Sequence, residues 1–166
     1  MRIQHRRVST SAFLAVSLSV AVLILSACGG STVSDSSTNI PTVSGEKGSK
    51  PTIFAPSGKP PTTLITKDIF EGTGTAAVTT STMTVHYTLM AWSTGKVVDS
   101  SWDGGSPATF PLGQVIKGWQ EGIPGMKVGG RRLLVIPPDL GYGAAGGGPI
   151  GPNETLIFVV DVVGIA

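Results

Sequence analysis

The chain has 166 residues, including 12 Lys or Arg and 10 Asp or Glu, and this length suits one ordinary domain with short additional segments. It contains one cysteine, Cys28, and two histidines, so we expect neither an internal disulfide nor a metal site. Arg2, Arg6 and Arg7 precede Cys28, where no acidic residue occurs, so 9 basic and 10 acidic residues remain in the rest of the chain. A nearly neutral remainder without a Lys/Arg stripe argues against nucleic-acid binding.

Residues 1–27 have the organisation of a secretory signal peptide. The three arginines precede an apolar run from Ala12 to Leu25, and its length of about 14 residues is short for a membrane-spanning helix, which needs about 20. An uncleaved membrane anchor is the alternative. The end of this segment, Leu25-Ser26-Ala27-Cys28, resembles a bacterial lipobox. That resemblance implies a lipid on Cys28 and an extracytoplasmic protein anchored to the bacterial cell membrane.

Two segments of low complexity follow Cys28. In residues 29–49, 14 of 21 residues are Ser, Thr, Gly or Pro, so residues 28–49 are predicted to form a flexible tether. Residues 50–61 are rich in proline but contain Ile53 and Phe54, and they are predicted to lie as an arm against the domain. The folded domain is predicted to span residues 62–166.

Strand patterns dominate residues 62–166. Apolar and more polar residues alternate over residues 82–91, which predicts a strand with one buried face and with Tyr87 pointing inward. The β-branched apolar runs at 131–136 and 155–163 predict two further strands, and Leu64–Phe70 is a weaker candidate.

One helix is predicted, over Gln114–Ile123, where Ile116, Trp119 and Ile123 share a face. Gly118 and Gly122 each cost about 1 kcal/mol relative to alanine, so this helix requires Trp119 to pack against a sheet. The predicted fold class is α+β, with an antiparallel sheet wrapped on one short α-helix.

Six motifs in order resemble the FKBP-type peptidyl-prolyl cis-trans isomerases over residues 62–166. They are VHYT at 85–88, GKVVDSS at 95–101, FPLG at 110–113, VIKGW at 115–119, GMKVG at 125–129, and IPP at 136–138 followed by Tyr142-Gly143. The resemblance implies an antiparallel half-wrapped β-sheet around one short α-helix, with a shallow apolar pocket between them. It implies peptidyl-prolyl isomerase activity without a cofactor.

The resemblance also assigns the pocket residues. Trp119 resembles the indole at the pocket floor, and Asp99 resembles the family's buried carboxylate beside Tyr87. The Tyr142 hydroxyl and the Ile116 backbone N–H resemble the donors that hold substrate carbonyls. These five residues are the expected catalytic residues. The expected walls are Tyr87, Val98, Val115, Ile116, Tyr142, Ile150 and Phe158.

Four positions depart from the family pattern. Val98 stands where many members have Phe, Ala108 where some have a second Phe, and Gly104 where some have an Arg paired with the carboxylate. The segment Leu112–Val115 is also two residues shorter than in the best-known members. The resemblance therefore implies that tacrolimus-type macrolides bind, but with reduced affinity because aromatic wall is lost.

The chemistry requires no proton transfer. Rotation about a prolyl bond crosses a barrier of about 18–20 kcal/mol because C–N resonance is broken, and the twisted state is less polar than the planar amide. An apolar pocket favours that state, and Asp99 then serves either as an orienter or as structural support for Tyr87. The expected substrates are Pro-containing, unfolded or partly folded exported polypeptides, and the chain is expected to be a monomer. A non-catalytic binding module for Pro-containing segments is the alternative.

Other patterns support weaker interpretations. His86, Asp99 and Ser100 are residue types of a hydrolase triad, but no nucleophile-elbow motif surrounds the serine. Residues 141–146 satisfy GxGxxG without a following helix, so they are predicted to form a loop over the pocket. Three further predictions are that Trp92 lies on the sheet surface, that Trp102 lies in a loop at the pocket rim, and that Arg131 and Arg132 straddle a strand with solvated heads.

Overall fold

The computed structural model describes residues 40–166, so the signal segment, Cys28 and residues 29–39 of the predicted tether lie outside the described residues. Its elements comprise eight strands, one α-helix and two short 3-10 helices. They are β1 (Val43–Ser44), β2 (Thr52–Ile53), β3 (Ile65–Phe70), β4 (Thr82–Ala91), β5 (Lys96–Ser100), β6 (Ala108–Pro111), a 3-10 helix (Leu112–Gln114), α1 (Lys117–Gly122), β7 (Arg131–Ile136), a 3-10 helix (Pro138–Leu140) and β8 (Leu156–Ile165).

The six strands β3 to β8 form one antiparallel sheet. Its order is β3-β7-β8-β4-β5, and β6 pairs with the first part of β4. This is the predicted α+β architecture, in which an antiparallel sheet half-wraps a single short helix. The strand predicted from alternation (β4) and the two predicted from apolar runs (β7 and β8) are confirmed, with β8 shifted by one residue at its start and two at its end. The weaker candidate at 64–70 is confirmed as β3. The short strands β5 and β6 were not expected from periodicity.

Both faces of the sheet are buried. On the inner face, Met83, Val85 and Leu89 of β4 pack with α1 and with alternate residues of β7 and β8, and Tyr87 packs there too, as predicted. We call this cluster the inner core. The prediction of one buried face is wrong for Thr88 and Met90, because their side chains are buried on the opposite face. A second cluster, which we call the outer core, covers that face.

The helix is shorter than predicted because the backbone is extended at Val115 and at Ile116, which caps α1. Trp119 is 4% exposed, so the packing that the glycine-containing helix requires is present. The glycines face the sheet. A Cβ atom on Gly118 would lie 2.4 Å from Cγ2 of Ile136, so only glycine allows α1 to approach β7 this closely.

The outer core is closed by the chain that precedes the sheet. Strands β1 and β2 pair as an antiparallel hairpin, and Ile53 of β2 is 6% exposed within the outer core. Ile40 and Val43 pack against the same cluster, whereas Phe54 is exposed. The structure therefore differs from the predicted tether over residues 40–49, because a few well-placed apolar side chains are enough to cover a ready-made apolar sheet face.

Arg131 fastens this hairpin, contrary to the prediction of a solvated head. Its side chain is 1% exposed, and its Nε donates to Asp161 Oδ1 at 2.7 Å. The other guanidinium nitrogens donate to the carbonyls of Ser49, at 2.5 Å, and of Gly45, at 3.4 Å. Arg132 points to the other face, where it binds Asp68 and is only 15% exposed. The two arginines do straddle the strand, but neither head is fully solvated.

Two tryptophans also lie elsewhere than predicted. Trp92 is buried in the outer core, because the arm of residues 50–61 covers it and its Nε1 donates to the Gly58 carbonyl at 3.4 Å. Trp102 stacks on His86 with ring centroids 3.9 Å apart, so it lies beside the outer face of β4. The prediction that Trp102 lies at the pocket rim is therefore wrong.

Candidate active site

A cavity of about 390 Å³ opens between α1 and the inner face of the sheet. It draws on β4, β5, β6 and β8, on α1 and the segment before it, and on the loop that carries Tyr142. Its lining is mainly apolar and aromatic. The lining residues are Tyr87, Leu89, Asp99, Phe110, Gln114, Val115, Ile116, Trp119, Tyr142 and Phe158.

Trp119 is the centre of an aromatic cluster in this cavity. Its ring meets those of Tyr87, Phe110 and Phe158 edge to face, with centroids 6.1, 5.8 and 5.3 Å apart and interplanar angles of 79°, 86° and 82°. This arrangement is favourable because the positive edge of one ring meets the negative face of another. The four rings therefore hold one another in fixed orientations and give the cavity rigid walls.

A phenol and a carboxylate form the main polar feature. Tyr87 and Asp99 come from the neighbouring strands β4 and β5, and the Tyr87 hydroxyl donates to Asp99 Oδ2 at 2.5 Å. Burial of the phenol, together with the hydrogen bond and charge of Asp99, raises the pKa of Tyr87 to about 12. A tyrosine that ionises later in the folded state stabilises the fold below its ordinary pKa of about 10, and this contribution is lost as the pH rises through 12.

Two further donors belong to residues that line the cavity, Ile116 and Tyr142. The Ile116 N–H donates to no protein acceptor within residues 40–166, although Trp119 and Gln120 both donate to the Ile116 carbonyl. Tyr142 lines the cavity and is 42% exposed, so its hydroxyl is accessible. Among the same described residues, no group of three His, Cys, Asp or Glu side chains could hold a metal ion.

Comparison with known proteins identifies the family of this chain. The model of the family described as FKBP-type peptidyl-prolyl cis-trans isomerase matches residues 74–163. An FK506-binding protein of Streptomyces anulatus is 54% identical over 111 residues, which cover 64% of this chain and 90% of that protein. The chain belongs to the FKBP-type peptidyl-prolyl cis-trans isomerases. A probable FK506-binding protein of Corynebacterium glutamicum is 48% identical, with 62% of this chain and 87% of that protein covered.

Solved structures show the same FKBP fold. Escherichia coli FkpA superposes with a TM-score of 0.59 at 40% identity, covering 61% of this chain and 47% of that one. AtFKBP13 superposes with a TM-score of 0.57 at 39% identity, covering 62% and 93%. The chain therefore spans about half of FkpA and nearly all of AtFKBP13.

Within this FKBP domain, seven of the predicted site residues line the cavity, and two do not. The seven are Tyr87, Asp99, Val115, Ile116, Trp119, Tyr142 and Phe158. Val98 and Ile150 instead pack with the inner core, and Ile150 is 6% exposed there. Asp99 lies beside Tyr87 as the resemblance implied, but it is exposed, because β5 is an edge strand of the sheet.

Three cavity residues were missed by the sequence analysis. Leu89 lies two residues after Tyr87 and therefore shares the inward face of β4. The alternation of this strand could have identified it. Phe110 begins one of the quoted motifs, and Gln114 immediately precedes Val115. The triad interpretation fails on geometry, because His86 Nδ1 bonds Ser101 Oγ at 3.0 Å on the outer side while Asp99 lines the cavity.

Proposed function

We propose that this FKBP-type isomerase accelerates Xaa-Pro bond rotation in unfolded or partly folded exported polypeptides, from a position tethered to the membrane by a lipid on Cys28. The observation that carries the catalytic part is the aromatic cavity around Trp119, with Tyr87 and Asp99 paired at its side. The exported and tethered part is supported by the sequence of residues 1–28.

The cavity suits a reaction that breaks amide resonance without forming a covalent bond. A planar prolyl amide is more polar than its twisted transition state, so moving it from water into an apolar, aromatic site disfavours the planar form more than the twisted one. Only interactions that are stronger in the transition state raise the rate. Tyr142 and the Ile116 N–H hold substrate carbonyls, and the Tyr87–Asp99 hydrogen bond fixes the orientation of the phenol in the wall.

Trp119→Leu should lower kcat/KM for Xaa-Pro peptides tenfold or more, which corresponds to about 1.4 kcal/mol or more of transition-state stabilisation. The matched control is Trp92→Leu, since Trp92 is 8% exposed but lies in the outer core, away from the cavity. Both variants lose a buried indole. Only Trp119→Leu should lose more activity than the decrease in its folded fraction explains. A protease-coupled peptide assay with circular dichroism on each variant measures this.

A binding module without turnover is the second candidate, motivated by Val98, Ala108 and Gly104. None of these three residues is among those that line the cavity in the described chain, which favours the catalytic proposal. If the folded wild-type protein binds proline peptides but does not accelerate rotation of the Xaa-Pro bond in any of them, the domain is a binding module and not an enzyme. We also propose that tacrolimus-type macrolides bind this cavity, since the matched relatives are named FK506-binding proteins.

Wild type should fractionate with the membrane and incorporate radiolabelled palmitate, and Cys28→Ser should abolish the incorporation of palmitate. Ser31→Ala, three residues further along the tether, is the matched control and should change neither. Within residues 40–166 no helix has the length and hydropathy to cross a membrane. If wild type stays in the membrane fraction without incorporating palmitate, residues 12–25 act as an uncleaved anchor and the lipid proposal is wrong.

A further inference from the structure

Gln120 of α1 binds backward onto the segment that precedes its own helix. Its Nε2 donates to the Val115 carbonyl at 2.7 Å and makes a longer contact of 3.5 Å with the Gly113 carbonyl. Both neighbours are acceptors, so the NH₂ group of the side chain, and not its oxygen, must face them. The side chain is only partly exposed, which favours a persistent contact.

This contact fixes one peptide plane. The Val115 carbonyl and the Ile116 N–H belong to the same peptide unit, which is planar and trans, so the two groups point in opposite directions. A donor that holds the Val115 oxygen on the Gln120 side therefore turns the Ile116 N–H away from Gln120. Val115 and Ile116 both line the cavity, and the Ile116 N–H is without a protein acceptor among the described residues.

The same contact also strengthens the donor. A carbonyl that accepts a hydrogen bond polarises its peptide unit, and the N–H of that unit then donates more strongly. The start of the segment is open on its outer side, since a Cβ atom on Gly113 would meet nothing within 4 Å. Among the described residues, Gln120 is thus the only side chain that donates a hydrogen bond to a carbonyl of residues 113–116.

We propose that Gln120 is a positioning residue, which aims the Ile116 N–H at a substrate carbonyl by holding the Val115 carbonyl. This inference rests on the proposed function, because it assumes that the cavity binds a proline peptide. It also sets a substrate requirement, since a peptide must offer a carbonyl to this N–H in order to gain the contact.

The test uses the full chain in detergent with Gln120→Glu and Gln120→Met, both close in length to Gln. Lys117→Gln is the control, because it is exposed on the same helix and changes the charge by the same amount as Gln120→Glu. Both Gln120 variants should raise KM for an Xaa-Pro peptide roughly fivefold to tenfold, the worth of about one hydrogen bond, with kcat unchanged. A contact that is equal in the ground and transition states appears in KM, whereas loss of folded enzyme lowers kcat alone.

Two readouts separate positioning from simple loss of stability. In Gln120→Glu the introduced carboxyl can donate once it is protonated, so KM should recover toward the wild-type value as the pH falls to about 4, near the ordinary glutamate pKa. Gln120→Met should show no such recovery. In both variants at neutral pH, the Ile116 amide signal should show exchange on the microsecond to millisecond timescale by NMR relaxation dispersion, which is absent from wild type and Lys117→Gln.

The possible results distinguish this inference from the proposed function. Wild type that accelerates no peptide refutes the proposed function, and the Ile116 amide then still reports whether Gln120 holds this peptide plane. Active wild type, with wild-type KM and an unchanged Ile116 amide signal in folded Gln120→Met, overturns the inference while the proposed function stands.

Discussion

Arg131→Met should lower the free energy of unfolding by about 3–5 kcal/mol, the cost of leaving one partner of a buried ion pair without the other. The substitution removes the charge facing Asp161 and the donors that bind the Ser49 and Gly45 carbonyls. Burial raises the pKa of Asp161 above its ordinary range, and the guanidinium of Arg131 partly offsets this. Chemical denaturation at pH 7 measures the loss.

The stability that Arg131→Met loses should increase as the pH rises. Without Arg131 the pKa of Asp161 rises further, so the carboxyl in the folded variant holds its proton to higher pH than in the unfolded chain. Such a group stabilises the fold below its unfolded pKa, and that stability is lost as the pH rises through the folded pKa. The variant should therefore approach wild-type stability near pH 4 and fall furthest behind it at pH 7.

Arg132→Met provides the matched control, since it removes the neighbouring arginine from the opposite face of β7. Its ion-pair partner, Asp68, is 42% exposed, and such pairs contribute about 0–1 kcal/mol. Arg132 also donates to the Gly122 carbonyl at 2.8 Å, which adds about 1 kcal/mol, so the control should lose clearly less than Arg131→Met. The double variant Arg131→Met with Asp161→Leu should recover part of the loss, because no buried charge is left. Equal losses for Met at 131 and at 132 would contradict the role assigned to the buried pair.

A chain that begins at residue 62 should be far less stable than one that begins at residue 40. Its outer core loses Ile53, worth about 2 kcal/mol as a buried aliphatic side chain, and the half-buried Ile40 and Val43, worth about 1 kcal/mol each. The sum is roughly 4 kcal/mol. The shortened chain also exposes Leu133, Val135, Ile157 and Val159, an apolar sheet face that favours aggregation. The midpoint of thermal unfolding and the monomer fraction by size-exclusion chromatography measure both effects.

The matched control for this truncation is the full hairpin with Ile53→Asp, which keeps the chain length but places a charge in the outer core. It should reproduce most of the stability loss. If the chain of residues 62–166 melts at the same temperature as the chain of residues 40–166, the hairpin and its contacts with the outer core contribute nothing to the stability of the fold.

Much of the fold and the site could be predicted because the signals are local. The alternation in residues 82–91 places Tyr87 on the inner face, and the spacing of Trp119 places it against the sheet. Family motifs then carried most of the cavity residues. These assignments depend only on residues that are close together in the sequence. They can therefore be made without knowing how distant segments pack.

The remaining features depend on contacts between distant segments. Arg131 is buried because carbonyls 82 and 86 positions earlier in the chain accept its hydrogen bonds, and nothing next to Arg131 in the sequence encodes them. Trp102 lies on the outer side because His86 offers its ring there. Val98 and Ile150 fall outside the cavity lining because shape, and not residue type, decides which apolar side chains face an opening.

The position of the β1–β2 hairpin has a practical consequence. The polypeptide reaches the domain on the outer face of the sheet, whereas the aromatic cavity opens on the inner face. Pulling on the amino terminus therefore loads the back of the sheet and leaves the mouth of the cavity unobstructed. A biosensor chip coupled at residue 40 should therefore leave the cavity accessible to the flowing analyte.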